Sequence, residues 1–334
     1  MRQPGSAFKP FIYSAALAKG YTLATVINDA PFVVANAGGE NEMWRPVNDT
    51  RKFYGPTRLR TALNESRNLV SIRLLQLIGI HYAIDYVSRF GFHRDEMPTT
   101  LSLALGSATL TPLQLATAYA TFANGGYKIN PYFINSVVDY NKKIIYQAKP
   151  QHVCRFTINN INGQTVAPPN DCAPRVITAE NAYLLNSAMR DVIQHGTGQA
   201  ALALNRKDLA GKTGTTNDKK DTWFSGFNTN LVATTWMGFD DPRPLYEYAA
   251  QSALPMWVDF MRIALKNQPE ALQSEPSDIV TVKIDKATGL LASAEDTNTM
   301  YEVFRNGTAP TQISSPTSSS TTNLAGNSGI EQLY

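Results

Sequence analysis

Ser6 and Lys9 stand three residues apart in the run Ser6-Ala7-Phe8-Lys9, close to the start of the chain. On a helix that starts near Ser6, residues i and i+3 share a face, so the amine can reach a hydroxyl that it must deprotonate. Two more short motifs follow in order, Ser66-Arg67-Asn68 and Lys212-Thr213-Gly214-Thr215. The first adds a hydroxyl able to relay a proton and an amide that both donates and accepts, although either residue alone would equally read as a helix cap. The second adds a cation and two hydroxyls suited to a carboxylate. Nucleophile, base and anion clamp together are what acyl transfer on a serine requires.

A particular order of elements must hold these groups. Phe11, Ile12, Ala15, Ala16 and Leu17 predict a buried helix from Ser6 to about Gly20, with Pro10 confined to its beginning. Ser6 then lies where free backbone N–H groups and the helix dipole favour a developing negative charge. Residues 28–56, aperiodic and rich in Asn, Asp, Gly and Pro, read as a long loop near the site. Helices are predicted at about 57–64, 68–78, 80–90 and 111–123, then a hairpin of Phe133 to Val138 and Ile144 to Tyr146. A further helix from about Thr178 to Gln194 precedes the turn Gly196-Thr197-Gly198. Asp208 to Thr215, Thr222 to Phe227 and Leu231 to Phe239 read as strands, which places Lys212 to Thr215 on a sheet. Ser252 to Leu265 reads as a helix and 279–284 as one more short strand. The fold class is α/β of the α+β type, an antiparallel sheet covered by helices. One domain over 1–312 is expected, with an insertion at about 149–176 and a disordered Ser/Thr-rich tail over 313–334.

The chain has 334 residues, 43% of them hydrophobic, enough to bury one large core. A net charge of +3, with Lys and Arg scattered, argues against a nucleic-acid partner. No run of eighteen apolar residues occurs, so any membrane anchor is expected outside this chain. His81, His93, His152 and His195 lack metal-ligand spacing, and neither a metal nor a cofactor is expected. Cys154 and Cys172 flank a polar stretch and read either as a disulfide suited to an oxidising compartment or as two free thiols.

The flanks extend the three motifs: Arg2-Gln3-Pro4-Gly5 before Ser6, Leu59-Arg60-Thr61-Ala62-Leu63-Asn64-Glu65 before Ser66, and Gly211 and Thr216 about the third. Between them lie Ser102-Leu103-Ala104-Leu105-Gly106-Ser107, Thr111-Pro112-Leu113-Gln114-Leu115-Ala116 and Phe122-Ala123-Asn124-Gly125-Gly126. From about residue 1 to 312 the chain closely resembles the transpeptidase domain of class A, bifunctional penicillin-binding proteins of the Gram-negative type. The resemblance implies the penicillin-binding fold shared with serine β-lactamases, here without the family's strands upstream of the nucleophile, so that the sheet is expected to be short.

The same resemblance implies a role for each residue. Ser6 would attack the carbonyl between the last two D-alanines of a peptidoglycan stem peptide, with Lys9 as its base. Burial and the like charge of Lys212 would both ease loss of the Lys9 proton. Ser66 would relay a proton to the leaving amine, and Asn68 would meet the substrate backbone while holding Lys9. Lys212, Thr213 and Thr215 would bind the terminal carboxylate or its β-lactam equivalent, and Gly214 would let substrate approach the strand. Backbone N–H groups of Ser6 and Thr215 would form the oxyanion hole, and Trp223 would stand at the site wall.

The expected partners are stem peptides ending in D-Ala-D-Ala, β-lactam antibiotics and cell-wall synthesis activators. The expected location is the periplasmic domain of a protein anchored in the inner membrane, usually with a glycosyltransferase domain upstream. A D,D-carboxypeptidase or a non-catalytic β-lactam sensor would carry the same motifs. A class A β-lactamase would need a glutamate downstream of the second motif, and none stands between Glu96 and Glu180.

Overall fold

A computed structural model describes residues 1–35, 43–154 and 171–314. The chain opens with a 3-10 turn, Gly5–Phe8, that runs directly into helix α1, Lys9–Ala18. Ser6 therefore lies in the tighter turn and not in the α-helix that the sequence predicts. The backbone explains the difference: Gly5 has a φ of +56°, and Pro10 has no N–H to give to the preceding turn. The Lys9 N–H closes the turn on the Ser6 carbonyl, an i to i+3 bond that brings residues i and i+3 into eclipse. α1 is buried from Lys9 to Leu17, as suits a helix that is apolar on every side. The Phe11 ring centroid lies within 5.4 Å of those of Phe90, Phe92, Tyr119 and Phe122, and these rings make the centre of the core.

Short strands β1 (Val26–Asp29), β2 (Val34–Ala35), β3 (Met43–Trp44) and β4 (Gly55–Arg58) occupy part of the stretch read as a loop. β1 pairs antiparallel with β4 and β2 with β3, which satisfies backbone groups that residue type alone does not assign to strands. Helices α2 (Leu59–Asn64), α3 (Asn68–Ile78), α4 (Ile80–Val87) and α5 (Pro112–Ala123) follow close to their predicted places. α5 starts with a capping box in which Thr111 and Gln114 satisfy each other's backbone N–H groups. The predicted hairpin forms as β5 (Ser136–Val138) and β6 (Ile144–Gln147), and α6 spans Ala179–Gln194.

The main sheet is antiparallel and ordered β7 (Ala210–Thr215), β8 (Asp221–Phe227), β9 (Val232–Gly238). Side chains of β8 alternate between two cores. Trp223 and Phe227 join the α1 core, whereas Phe224 packs against Trp257 of α7 (Ala253–Ala264) with ring centroids 4.9 Å apart. β7, which carries the third motif, is an edge strand. The far edge of β9 pairs with no further strand among the described residues.

At the C-terminal end, β10 (Ile279–Asp285) pairs over its whole length with β11 (Thr299–Arg305), a strand the sequence reading missed. Ile284 and Phe304 of this hairpin share a small core with Ala24. Ile313 and Ser314, assigned to the tail from sequence, instead bridge to Leu291; the rest of that tail, 315–334, lies outside the described residues. Cys154 and Cys172 form a disulfide with Cα atoms 5.4 Å apart, so the free-thiol reading falls. It closes the predicted insertion, of which 155–170 also lie outside the described residues. No helix among the described residues is long and apolar enough to cross a membrane.

Candidate active site

The three motifs converge. Lys9, the first residue of α1, is fully buried, and its Nζ lies 2.7 Å from the Ser66 carbonyl oxygen, 2.7 Å from Asn68 Oδ1 and 3.3 Å from Ser66 Oγ. Lys212 of β7 is also fully buried and donates to the same Ser66 Oγ at 2.9 Å. One hydroxyl is thus shared by two lysines. Ser66 occupies the turn between α2 and α3 at a φ of +56°, a left-handed conformation uncommon for serine and found where function holds the backbone. Ser6 itself is 9% exposed and lines a cleft of about 610 Å³ together with Asn68, Thr215, Trp44, Asp49 and Tyr248.

Asn68 opens α3 and is oriented by residues that the sequence reading passed over. Its Nδ2 donates to the Val47 carbonyl at 3.0 Å and to Asp49 Oδ1 at 3.2 Å, which turns Oδ1 towards Lys9. Asn48 Oδ1 accepts the Asn68 N–H at 2.8 Å, doing from a distant loop what a cap residue would do. Asn48 Nδ2 in turn donates to both oxygens of the buried Asp29, at 2.8 and 2.9 Å. The trace of this network in the sequence is two Asn-Asp pairs, Asn28-Asp29 and Asn48-Asp49, within an aperiodic stretch.

The third motif is placed as the chemistry requires at some positions and differently at others. Thr213 Oγ1 lies 2.7 Å from Thr197 Oγ1, which brings the Gly196-Thr197-Gly198 turn against β7. Gly214 has a reason other than substrate approach. A Cβ there would stand 2.3 Å from the Pro4 carbonyl oxygen and 2.9 Å from Ala7 Cβ, so glycine is what lets the nucleophile turn pack on β7. A Cβ on Gly5 would likewise lie 2.6 Å from the Thr215 carbonyl oxygen, which sets Ser6 beside the end of β7. Trp223 is not at the site wall: it is fully buried in the core, 6.1 Å from the Trp236 ring, and donates its indole N–H to the Gln3 carbonyl at 2.8 Å. It props up the segment before Ser6 from behind.

Burial sets the electrostatics. The Lys9 ammonium, taken out of water, has its pKa lowered to about 7; the Asp49 and Asp29 carboxylates work against the shift and the Arg67 guanidinium works with it. The Lys212 charge adds to this, because the repulsion between the two buried lysines is mutual and disfavours having both protonated. Lys212 lies well below the ordinary lysine range, first through burial and then through Lys9. With Lys9 neutral, two N–H groups suffice for the Ser66 carbonyl and Asn68 Oδ1, and the lone pair is left for a hydroxyl. No three-residue cluster of metal-ligating side chains occurs among the described residues.

A match to the penicillin binding protein transpeptidase domain covers residues 1–253, and one to the C-terminal domain of penicillin-binding protein 1A covers 275–317. Penicillin-binding protein 1A of Pseudomonas aeruginosa is 45% identical over 343 residues, which span 93% of this chain and 42% of that protein. The crystal structure of penicillin-binding protein 1A from Haemophilus influenzae superposes with a TM-score of 0.84 at 40% identity, covering 93% of this chain and 49% of that one. A ceftriaxone acyl-enzyme complex of penicillin-binding protein A from M. tuberculosis shares the fold at 20% identity, with a TM-score of 0.60 and coverage of 80% and 61%. The chain spans less than half the length of its 1A relatives. On sequence and fold together, it belongs to the penicillin-binding protein transpeptidase domain family, of the class A, penicillin-binding protein 1A type.

Proposed function

We propose that this chain is a D,D-transpeptidase domain whose Ser6 forms an acyl-enzyme with stem peptides ending in D-Ala-D-Ala and with β-lactams. The observation that carries this reading is the Ser66 hydroxyl, held between two buried lysines, one of which has its pKa near neutrality. Neutral Lys9 takes the Ser6 proton as the hydroxyl attacks the scissile carbonyl. The carbonyl oxygen gains negative charge, which backbone N–H groups of Ser6 and Thr215 stabilise. The proton that Lys9 took then passes through Ser66 Oγ to the nitrogen of the D-alanine, which leaves as an amine while Lys212 holds Ser66 in place. An amine of a second stem peptide attacks the ester, gives up its proton to Lys9 by the same route, and Lys9 returns a proton to Ser6 as the ester bond breaks. Thr213 and Thr215 hold the terminal carboxylate, and the edge of β7 pairs with the donor peptide.

Intact mass after exposure to a penicillin tests the first step. One adduct is expected, mapped to the peptide that carries Ser6 and absent from Ser6→Ala; an equal adduct on that variant would sink the assignment. The adduct should persist, because no glutamate stands where a class A β-lactamase holds its deacylating base. Clearance within seconds would favour a β-lactamase. Product analysis with and without an amine acceptor separates cross-linking from carboxypeptidase hydrolysis.

Asp49 gives a finer test of the base. Its carboxylate favours the charged form of Lys9, so Asp49→Asn lowers the Lys9 pKa further. The acylation rate rises as Lys9 loses its proton, and in Asp49→Asn that rise moves to lower pH. An unmoved profile would mean that Lys9 is not the group being titrated. The domain boundary near 312, the periplasmic location, the anchor and a glycosyltransferase domain in the longer protein belong to the same proposal.

A further inference from the structure

α1 begins at Lys9 in the active site, and at its other end a second cavity of about 430 Å³ opens, lined in part by Leu17 and Ala18. α6 runs the opposite way. Thr178 and Glu180, at its start, line this cavity, and Thr197, three residues past its end, bonds Thr213. β11 closes the cavity with Val303, Phe304 and Arg305, so the wall joins the stretch matched to the transpeptidase domain with the stretch matched to the C-terminal domain.

The lining has two characters. Leu17, Leu184 and Phe304 give it an apolar, buried side. Three arginines, Arg89, Arg175 and Arg305, exposed at its rim, stand in its lining against one acidic residue, Glu180, with Arg175 shared with a neighbouring cavity that Tyr127 lines. None of the three arginines is ion-paired with a carboxylate among the described residues. Arg89 lies 4.9 Å from the Tyr86 ring centroid, and Arg175 lies 4.5 Å from that of Tyr127 and donates to its hydroxyl at 2.7 Å. Such partners hold a guanidinium in place and leave its charge uncompensated. Cationic side chains about one rim with a single acidic residue beside them attract an anion. The positive end of the α6 dipole adds to the same field. The volume falls within the range of small-ligand sites.

The geometry points to a binding site for a small organic phosphate, its anionic head on the arginines and an apolar body against Leu17, Leu184 and Phe304. Its occupant touches the far ends of the two helices that hold the active site. Beside the cavity the middle of α1 is bonded to the first turn of α6: Ser14 Oγ donates to Asn181 Oδ1 at 2.6 Å, and Asn181 Nδ2 donates back to the Ser14 carbonyl at 2.8 Å.

Phenyl phosphate is the probe, titrated calorimetrically into the full chain, with inorganic phosphate and phosphatidylglycerol vesicles as separate arms. Phenyl phosphate should bind, and inorganic phosphate should bind about tenfold or more weakly, because it leaves the apolar wall unused. Arg89→Gln combined with Arg305→Gln should weaken phenyl phosphate about tenfold or more, as should Arg175→Gln alone in a chain that keeps the other two cations. Arg262→Gln, on the outer face of α7, should change nothing. Melting temperatures near the parent value establish that each variant folds. No binding of phenyl phosphate, equal binding of inorganic phosphate, undiminished binding to the arginine variants, or binding to vesicles alone would each overturn the proposal.

Discussion

Lys9→Arg is expected to lower the rate of Ser6 acylation by about 10²–10⁴-fold, the usual contribution of a positioned general base. Arginine keeps the charge and the capacity to donate to the Ser66 carbonyl and to Asn68, so the local fold has every reason to survive. What it cannot do is become neutral near physiological pH, and an always-protonated group accepts nothing from Ser6. In the parent chain the rate should climb with pH and level off above about 7, the value to which burial lowers Lys9. The sign is fixed by which form works: the ammonium dominates below that pH and is inert as a base, and the amine dominates above it. Stopped-flow acylation by a chromogenic cephalosporin between pH 5 and 9 measures both. A flat profile, or an arginine variant that acylates at the parent rate, would assign the base elsewhere.

Glu302→Ala is expected to cost about 3–5 kcal/mol of stability, as breaking a buried ion pair by removing one partner usually does. Glu302 on β11 is 1% exposed and lies beneath Arg60 of α2, whose Nε and Nη2 reach its carboxylate at 2.6–3.0 Å. Arg60 also donates to Asp191 of α6 at 2.8 Å, and the two carboxylates keep the guanidinium charged against its burial. Without Glu302, Arg60 keeps Asp191 as its ion-pair partner, and the neighbouring Arg58 loses its own, with only the fields of Asp191 and Asp285 to offset its burial. The loss is local to a hinge of the site, because α2 ends two residues before Ser66. Urea denaturation with an unchanged m-value reads the cost, and slower acylation should accompany it. Arg60→Met combined with Glu302→Leu should cost less than the sum of the single changes, since the pair is then replaced and not orphaned. A single variant within about 1 kcal/mol of the parent, the range of an exposed pair, would show that this network does not hold α2.

The residues of the candidate site were legible because their types are rare in combination and their spacing is local. Ser6 and Lys9 are joined by one turn, Ser66 and Asn68 by another, and Lys212 to Thr215 by a strand whose neighbours read as strands too. The apolar run of α1 and the Val, Thr and Trp content of β9 need no knowledge of the rest of the fold. Family resemblance supplied the roles and put Trp223 at the site wall; it does share the sheet face of Lys212 and Gly214, but the chain before Ser6 covers it, and only long-range packing decides that. Gly214 was read as room for substrate when the close neighbour is the chain's own Pro4 carbonyl, a contact between residues 210 positions apart. β11 went unseen because its strand character depends on its partner β10.

Tertiary structure alone decided what tunes the site. The depressed pKa of Lys9 comes from burial first, opposed by Asp49 and Asp29 and aided by Arg67, three charges whose distances from Nζ no spacing rule fixes. Asn48 caps α3 from a loop twenty residues away, and Ser66 receives its two lysines from elements that begin at residues 9 and 210. Local sequence specifies which groups exist and which turn each sits on; long-range packing removes the water between them, and a lysine becomes a base only when that water is gone.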